Sequence, residues 1–184
     1  CDKYDALLIF DEVQCGMGRL GSLFAYKKFS VIPDVICIAK ALGGGFPIGA
    51  TITNVKASGA FVPGDHGSTF GGNPLACAVG EAVLTELVDG GVIDKIDEKS
   101  TYMRERLLKI KEKYGVIDEI KGMGLLIGIR LNTDTKKFCM SCFDKKLLVI
   151  AAGNNVVRLL PPLNVTKEEI DEALDILERV ISEI

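Results

Sequence analysis

The sequence predicts an α/β fold in which short parallel strands end at a ligand crevice, followed by a smaller α+β domain. Two apolar runs carry the first part. Ala6-Leu7-Leu8-Ile9-Phe10 closes on Asp11-Glu12-Val13-Gln14, and Val35-Ile36-Cys37-Ile38-Ala39 closes on Lys40-Ala41-Leu42-Gly43-Gly44-Gly45. Short continuous apolar runs bounded by turn residues suit strands buried in a parallel sheet. Ligands of open α/β sheets sit outside the carboxyl ends of the strands, so Asp11 and Lys40 are expected to face one crevice.

The elements follow in order. After the first strand, a short helix is expected near Leu23–Lys28, then the second strand, the Gly-rich turn and a strand over 49–54. A helix opens at Asn73, which can cap exposed amides. Pro74 suits its first turn, and Ala76, Val79, Val83 and Leu87 follow at helical spacing. The turn Asp89-Gly90-Gly91 ends this domain, read as 1–89. The second domain, 90–184, reads as a long helix to about Tyr114, a strand pair over 117–131, a helix over 136–146, strands over 147–151 and 156–160, and a closing helix. Thr166-Lys167-Glu168-Glu169 starts that helix with a capping box, and Ile170, Ala173, Leu174, Leu177, Val180 and Ile181 form its apolar stripe.

Composition narrows the function. The 184 residues are 48% hydrophobic and 26% charged, ordinary usage for a globular chain. No apolar stretch approaches the roughly 18–20 residues of a membrane-spanning helix. A net charge of −3 and a pI near 5.3, with Lys and Arg scattered, argue against a nucleic-acid partner. Cys139 and Cys142 have Cys-x-x-Cys spacing, but no second pair follows and the single histidine, His66, is distant. The six cysteines are read as reduced cytoplasmic thiols, and no metal is assigned.

Asp11 and Lys40 together have a chemical use. A lysine beside a desolvated pocket loses part of the stabilisation of its charge, so its amine can condense with an aldehyde. Pyridoxal phosphate needs such a lysine. It also needs a carboxylate at the ring nitrogen, because the protonated ring is the electron sink. Asp11 is the candidate. Gln14 stands at the mouth of the crevice, where its amide can bond the ring hydroxyl, and Val13 can pack on a ring face. Glu12 belongs to the same expected cofactor-contacting set. Gly67-Ser68-Thr69, just before the Asn73 helix, supports two readings: a plain loop with a cap, or a site for an anion such as a phosphate monoester. Arg158, alone in the apolar run Val156–Leu160, also has two readings: a structural ion pair, or a two-point grip on a carboxylate. Arg130 is read as a solvated strand residue. His66 is read as an ordinary turn or core histidine.

The segments Phe10–Arg19, Ala39–Ala50 and His66–Ala76, in this order and spacing, resemble the class III aminotransferases, and the similarity continues through Val157-Arg158-Leu159-Leu160-Pro161-Pro162-Leu163. The resemblance implies a fold-type-I pyridoxal-phosphate transferase and a cytoplasmic homodimer. It implies that Lys40 bonds the cofactor and Asp11 holds its ring. Thr69 would reach the cofactor phosphate across the dimer interface, Ser68 would lie near the substrate, and Arg158 would bind the substrate α-carboxylate. Members of the family run to about twice this length, so the chain is expected to be the C-terminal half: the end of the large cofactor domain plus the small domain. It is then expected to be inactive alone. The nearest likeness within the class implies N-acetylornithine as amino donor, 2-oxoglutarate as acceptor and glutamate as product, in arginine biosynthesis. Ornithine, 4-aminobutyrate, succinylornithine and N-succinyldiaminopimelate stay open as donors.

Two other readings are open to the same residues. Leu7–Glu12 has the form of a Walker B strand, but no Gly-x-x-x-x-Gly-Lys-Ser/Thr loop accompanies it. An inert folded fragment is the other.

Overall fold

The computed structural model describes residues 1–184, which divide into two compact units, Cys1–Asp94 and Lys95–Ile184. The first unit is built on a three-stranded sheet in the order β1 (Ile9–Asp11), β2 (Val35–Ile38), β3 (Ala50–Thr53). β1 and β2 are parallel, with Asp11 opposite Cys37, and β3 runs antiparallel to β2. A 3₁₀ turn over Ala25–Lys28 lies between β1 and β2, and a second, Lys40–Gly43, follows β2.

β1 departs from expectation. Its apolar run suggested burial, yet Leu7 and Ile9 are 42% and 58% exposed. The cause is position: β1 is the edge strand, and a continuous apolar run is covered only when the sheet continues beyond it. β2, inside the sheet, buries Ile36 and Ile38. At the other end of the strands Asp34 ties all three together. Its carboxylate accepts from the Leu8 amide and from the Asn54 side chain, both at 2.8 Å, while its carbonyl accepts from the Asn54 amide at 2.9 Å.

Asn54 also caps a short helix that the sequence reading passed over, α1 (Val55–Ser58), by accepting from Ala57 N–H at 3.2 Å. The next helix, α2 (Pro74–Val88), starts as expected: Asn73 accepts from Ala76 N–H at 2.9 Å and Pro74 stands at its head. α2 packs against the Lys40–Gly43 turn. There Gly44 has φ +55, and a Cβ on it would stand 3.0 Å from Val83 Cγ2, so glycine serves both the backbone and the close approach.

The second unit is an antiparallel sheet, β4 (Ile117–Met123), β5 (Leu126–Leu131), β6 (Ile150–Ala152) and β7 (Val156–Leu159), in the order β4-β5-β7-β6. Three helices accompany it: α3 (Ile96–Tyr114), α4 (Thr135–Asp144) and α5 (Lys167–Ser182). One continuous core joins Met103, Leu107 and Ile110 of α3, Ile127 and Ile129 of β5, Phe138 of α4, and Leu174, Leu177 and Ile181 of α5. The capping box of α5 forms in full, Thr166 N–H to Glu169 Oε2 at 2.7 Å and Glu169 N–H to Thr166 Oγ1 at 3.2 Å. Ile176 is also buried, widening the expected stripe. Across the α3/α5 seam Arg106 pairs with Asp171 and with Asp175 (2.7 Å), and Lys113 pairs with Glu178 at 2.8 Å. The 147–149 segment is not strand. Only Ile150–Ala152 pairs with β7, and Leu148 points outward at 80% exposure.

Candidate active site

The parallel pairing of β1 and β2 places the two key residues. Asp11 ends β1 opposite Cys37, and Lys40 follows Cys37 by three positions, so both stand at the carboxyl ends of adjacent parallel strands. Both are exposed. Asp11 is held by its own turn: Oδ1 accepts from Val13 N–H at 3.0 Å. Lys40 opens its 3₁₀ turn with φ +46, a left-handed conformation unusual for a residue with a side chain. Such strain costs on the order of 1–3 kcal/mol and gathers at functional sites. Val13 and Gln14 are half-buried beside Asp11.

Glu12 corrects an expectation. Strand alternation turns it away from the Asp11 face, and it is 2% exposed. Its carboxylate accepts from Ala25 N–H through Oε2 and from Tyr26 N–H through Oε1, both at 2.7 Å. With both oxygens committed to backbone amides inside the fold, Glu12 does not present its carboxylate to the crevice. A small recess of about 210 Å³ lies beside Asp11, walled in part by Cys15, Tyr26 and Phe29. Burial, and then the charge of Glu12, push the Cys15 thiol up, so it stays protonated near neutral pH.

Ser68 and Thr69 lie on the exposed approach to α2. Ser68 Oγ accepts from Gly71 N–H at 2.9 Å, which shapes the turn, and neither hydroxyl bonds to Asp11 or Lys40. Arg158 belongs to the second unit. It is half-buried on the interior strand β7, opposite Gly128 of β5 and Ile150 of β6.

The Aminotransferase class-III family model matches residues 1–181. The chain belongs to the class III aminotransferases. It is 63% identical over 182 residues to the acetylornithine aminotransferase of Clostridium acetobutylicum, covering 98% of this chain and 47% of that protein. It is 49% identical to the one of Caldanaerobacter subterraneus, covering 100% and 47%. Among solved structures, N-acetylornithine aminotransferase from Stenotrophomonas maltophilia superposes with a TM-score of 0.88 at 38% identity, covering 100% of this chain and 49% of that one. An ornithine aminotransferase of Toxoplasma gondii, with pyridoxal phosphate at its active site, gives 0.92 at 34%, covering 100% and 45%. The chain spans about half the length of the curated relatives it matches. Its fold is the matching part of fold type I, and class III aminotransferases use pyridoxal phosphate.

The residues present fit that cofactor. An oriented, solvent-facing carboxylate and an exposed amine share one end of a parallel strand pair, the chemistry that a pyridine nitrogen and an aldehyde require. The remaining candidates fall to ordinary roles. Arg130 is exposed between Asp118 (3.8 Å) and Glu119 (3.6 Å), as expected of a solvated strand residue. His66 lies in an exposed loop. Cys142 is fully buried in α4, its thiol pushed up to about 12 by desolvation, and burial raises Cys139 too. Tyr26 and Phe29, walls of the Asp11 recess, escaped the sequence reading. The signal was the aromatic cluster Phe24, Tyr26 and Phe29, whose link to Glu12 is not written in spacing.

Proposed function

We propose that this chain provides the Asp11 and Lys40 side of the active site of a pyridoxal-phosphate-dependent transaminase that uses N-acetylornithine and 2-oxoglutarate. The observation that carries it is the placement of Asp11 and Lys40 at the carboxyl ends of β1 and β2. When bound, the cofactor supplies an aldehyde that captures amines and a ring that takes up the electron pair left when a proton leaves the substrate carbon. Lys40 would be the residue that bonds the cofactor's aldehyde, and its amine, when free, would serve as the base and acid that takes and returns the proton of the substrate carbon. Asp11, oriented by Val13 N–H, keeps the ring nitrogen protonated. Val13 would pack on the ring, and Gln14 would bond its hydroxyl. Thr69 would hold the phosphate of a second subunit's site in a homodimer, Ser68 would lie near the substrate, and Arg158 would grip the substrate α-carboxylate.

On this reading the first unit is the end of the large cofactor domain and the second is the small domain. Acetylornithine aminotransferase activity, in a cytoplasmic enzyme of arginine biosynthesis, is favoured over the other donors by the names of the relatives at 46–63% identity. No helix is long and apolar enough to cross a membrane. The test is a comparison of kcat/KM for N-acetylornithine, succinylornithine, ornithine and 4-aminobutyrate in a full-length protein carrying this chain. N-acetylornithine is expected to lead. Preference for ornithine or 4-aminobutyrate overturns the substrate assignment. The 184-residue chain by itself is expected to show no turnover.

A further inference from the structure

We infer that Glu12 is a positioning residue: by anchoring the peptide plane between itself and Val13, it sets the orientation of the Asp11 carboxylate. The inference rests on the proposed function only for its catalytic consequence.

The peptide unit joining Glu12 to Val13 is held at both ends. Its N–H, on Val13, donates to Asp11 Oδ1 at 3.0 Å, and its carbonyl, on Glu12, accepts from Gly16 N–H at 3.0 Å. Rotating that plane would release Asp11. What prevents rotation is the Glu12 residue itself. Its N–H donates to Cys37 O of β2 at 2.9 Å, and its side chain is fastened to Ala25 and Tyr26 at 2.7 Å each. A carboxylate buried to 2% exposure is costly unless its oxygens are paired, and charge-assisted bonds of this length are strong ones. Gly16 closes the arrangement from the other side. A Cβ there would stand 2.8 Å from Glu12 O and 3.0 Å from Glu12 Oε2, leaving room for no side chain.

The same anchor fixes the wall of the Asp11 recess. Ala25 and Tyr26 open the 3₁₀ turn, and Tyr26 and Phe29 line the recess beside Asp11. Glu12 therefore couples two things that a ring-nitrogen partner needs, a fixed carboxylate and a fixed enclosure. Orientation at this level is what a supporting residue behind a reactive group provides.

The test compares wild type with Glu12→Gln, whose amide turns a donor toward one of the two backbone N–H groups. In the 184-residue chain without cofactor, NMR follows the Val13 amide proton while the carboxylates are titrated. An amide bonded to a carboxylate reports its ionisation, so in Glu12→Gln the Val13 response is expected to drop by about half or more. Lys136 N–H, bonded to Asp134 Oδ1 at 2.9 Å in the second unit, serves as the unchanged control. Should Glu12→Gln lose the fold of the first unit, Glu12→Asp carries the test. It keeps the charge but shortens the side chain, so the carboxylate no longer reaches the Ala25 and Tyr26 amides together. A full Val13 response with the Lys136 control intact overturns the inference. In a full-length protein loaded with pyridoxal phosphate, Glu12→Gln is expected to lower kcat about tenfold with KM within about twofold. Equal loss through KM alone contradicts a positioning role. If the wild-type protein retains no cofactor, the proposed function fails, and the Val13 measurement still decides what Glu12 does.

Discussion

Lys40 carries a side chain at φ +46, and the strain this implies can be measured by replacing it with Ala and with Gly. Both substitutions remove the amine, and because Lys40 is exposed, neither loses much packing. They differ in the Cβ. In the left-handed region Cβ crowds the following carbonyl at a cost of roughly 1–2 kcal/mol, and glycine escapes it. Glycine's greater freedom in the unfolded chain offsets about 0.5–1 kcal/mol of that gain. Lys40→Gly should therefore be more stable than Lys40→Ala by about 0.5–1 kcal/mol, although glycine normally destabilises. Urea unfolding of the cofactor-free chain, followed at the amides of the buried β2 residues Ile36 and Ile38, separates the first unit from the second. If Lys40→Ala equals or exceeds Lys40→Gly in stability, the left-handed backbone is not a feature of the folded chain, and the aim it gives the amine goes with it.

Arg158→Lys keeps the charge but loses the two-point geometry, so KM for glutamate and for 2-oxoglutarate should both rise, by the equivalent of about 2–5 kcal/mol if the contact is buried. Unchanged KM for both ligands makes Arg158 a structural ion pair. Asp34 predicts a pH effect on the first unit. The Leu8 amide, then the Asn54 side chain, hold its carboxyl below the usual carboxylate range, so the unfolded chain binds the proton more readily. The stabilisation is present above the ordinary aspartate pKa, near 4, and is lost as pH falls through the lower folded value. Asp34→Asn should flatten this acid limb, as read from urea midpoints between pH 5 and about 2; an unaltered limb would mean that other carboxylates dominate.

The elements with strong local signals were legible in the sequence. Asn73-Pro74 and Thr166–Glu169 use their own side chains to satisfy amides within a few residues, so their caps are written in the sequence and appear as expected. The pair Asp11 and Lys40 was legible for a related reason: each closes an apolar run, and a parallel sheet brings such ends together. What could not be read depends on partners distant in sequence. The exposure of β1 follows from its place at the edge, which no local pattern encodes. The strand at 150–152 is set by its pairing with Arg158 and Val157 rather than by the Leu147–Ile150 apolar run. Glu12 looked like a cofactor contact because it sits between Asp11 and Val13. The amides it serves lie thirteen and fourteen residues later.

Whether Lys40 holds the cofactor aldehyde is decided by borohydride reduction of a full-length protein carrying this chain, after incubation with pyridoxal phosphate, followed by peptide mapping. Reduction fixes the cofactor to whichever amine holds its aldehyde. One modified residue, Lys40, is expected, and no stable adduct in Lys40→Ala. A stoichiometric adduct at any other lysine, or one that survives in Lys40→Ala, would contradict it.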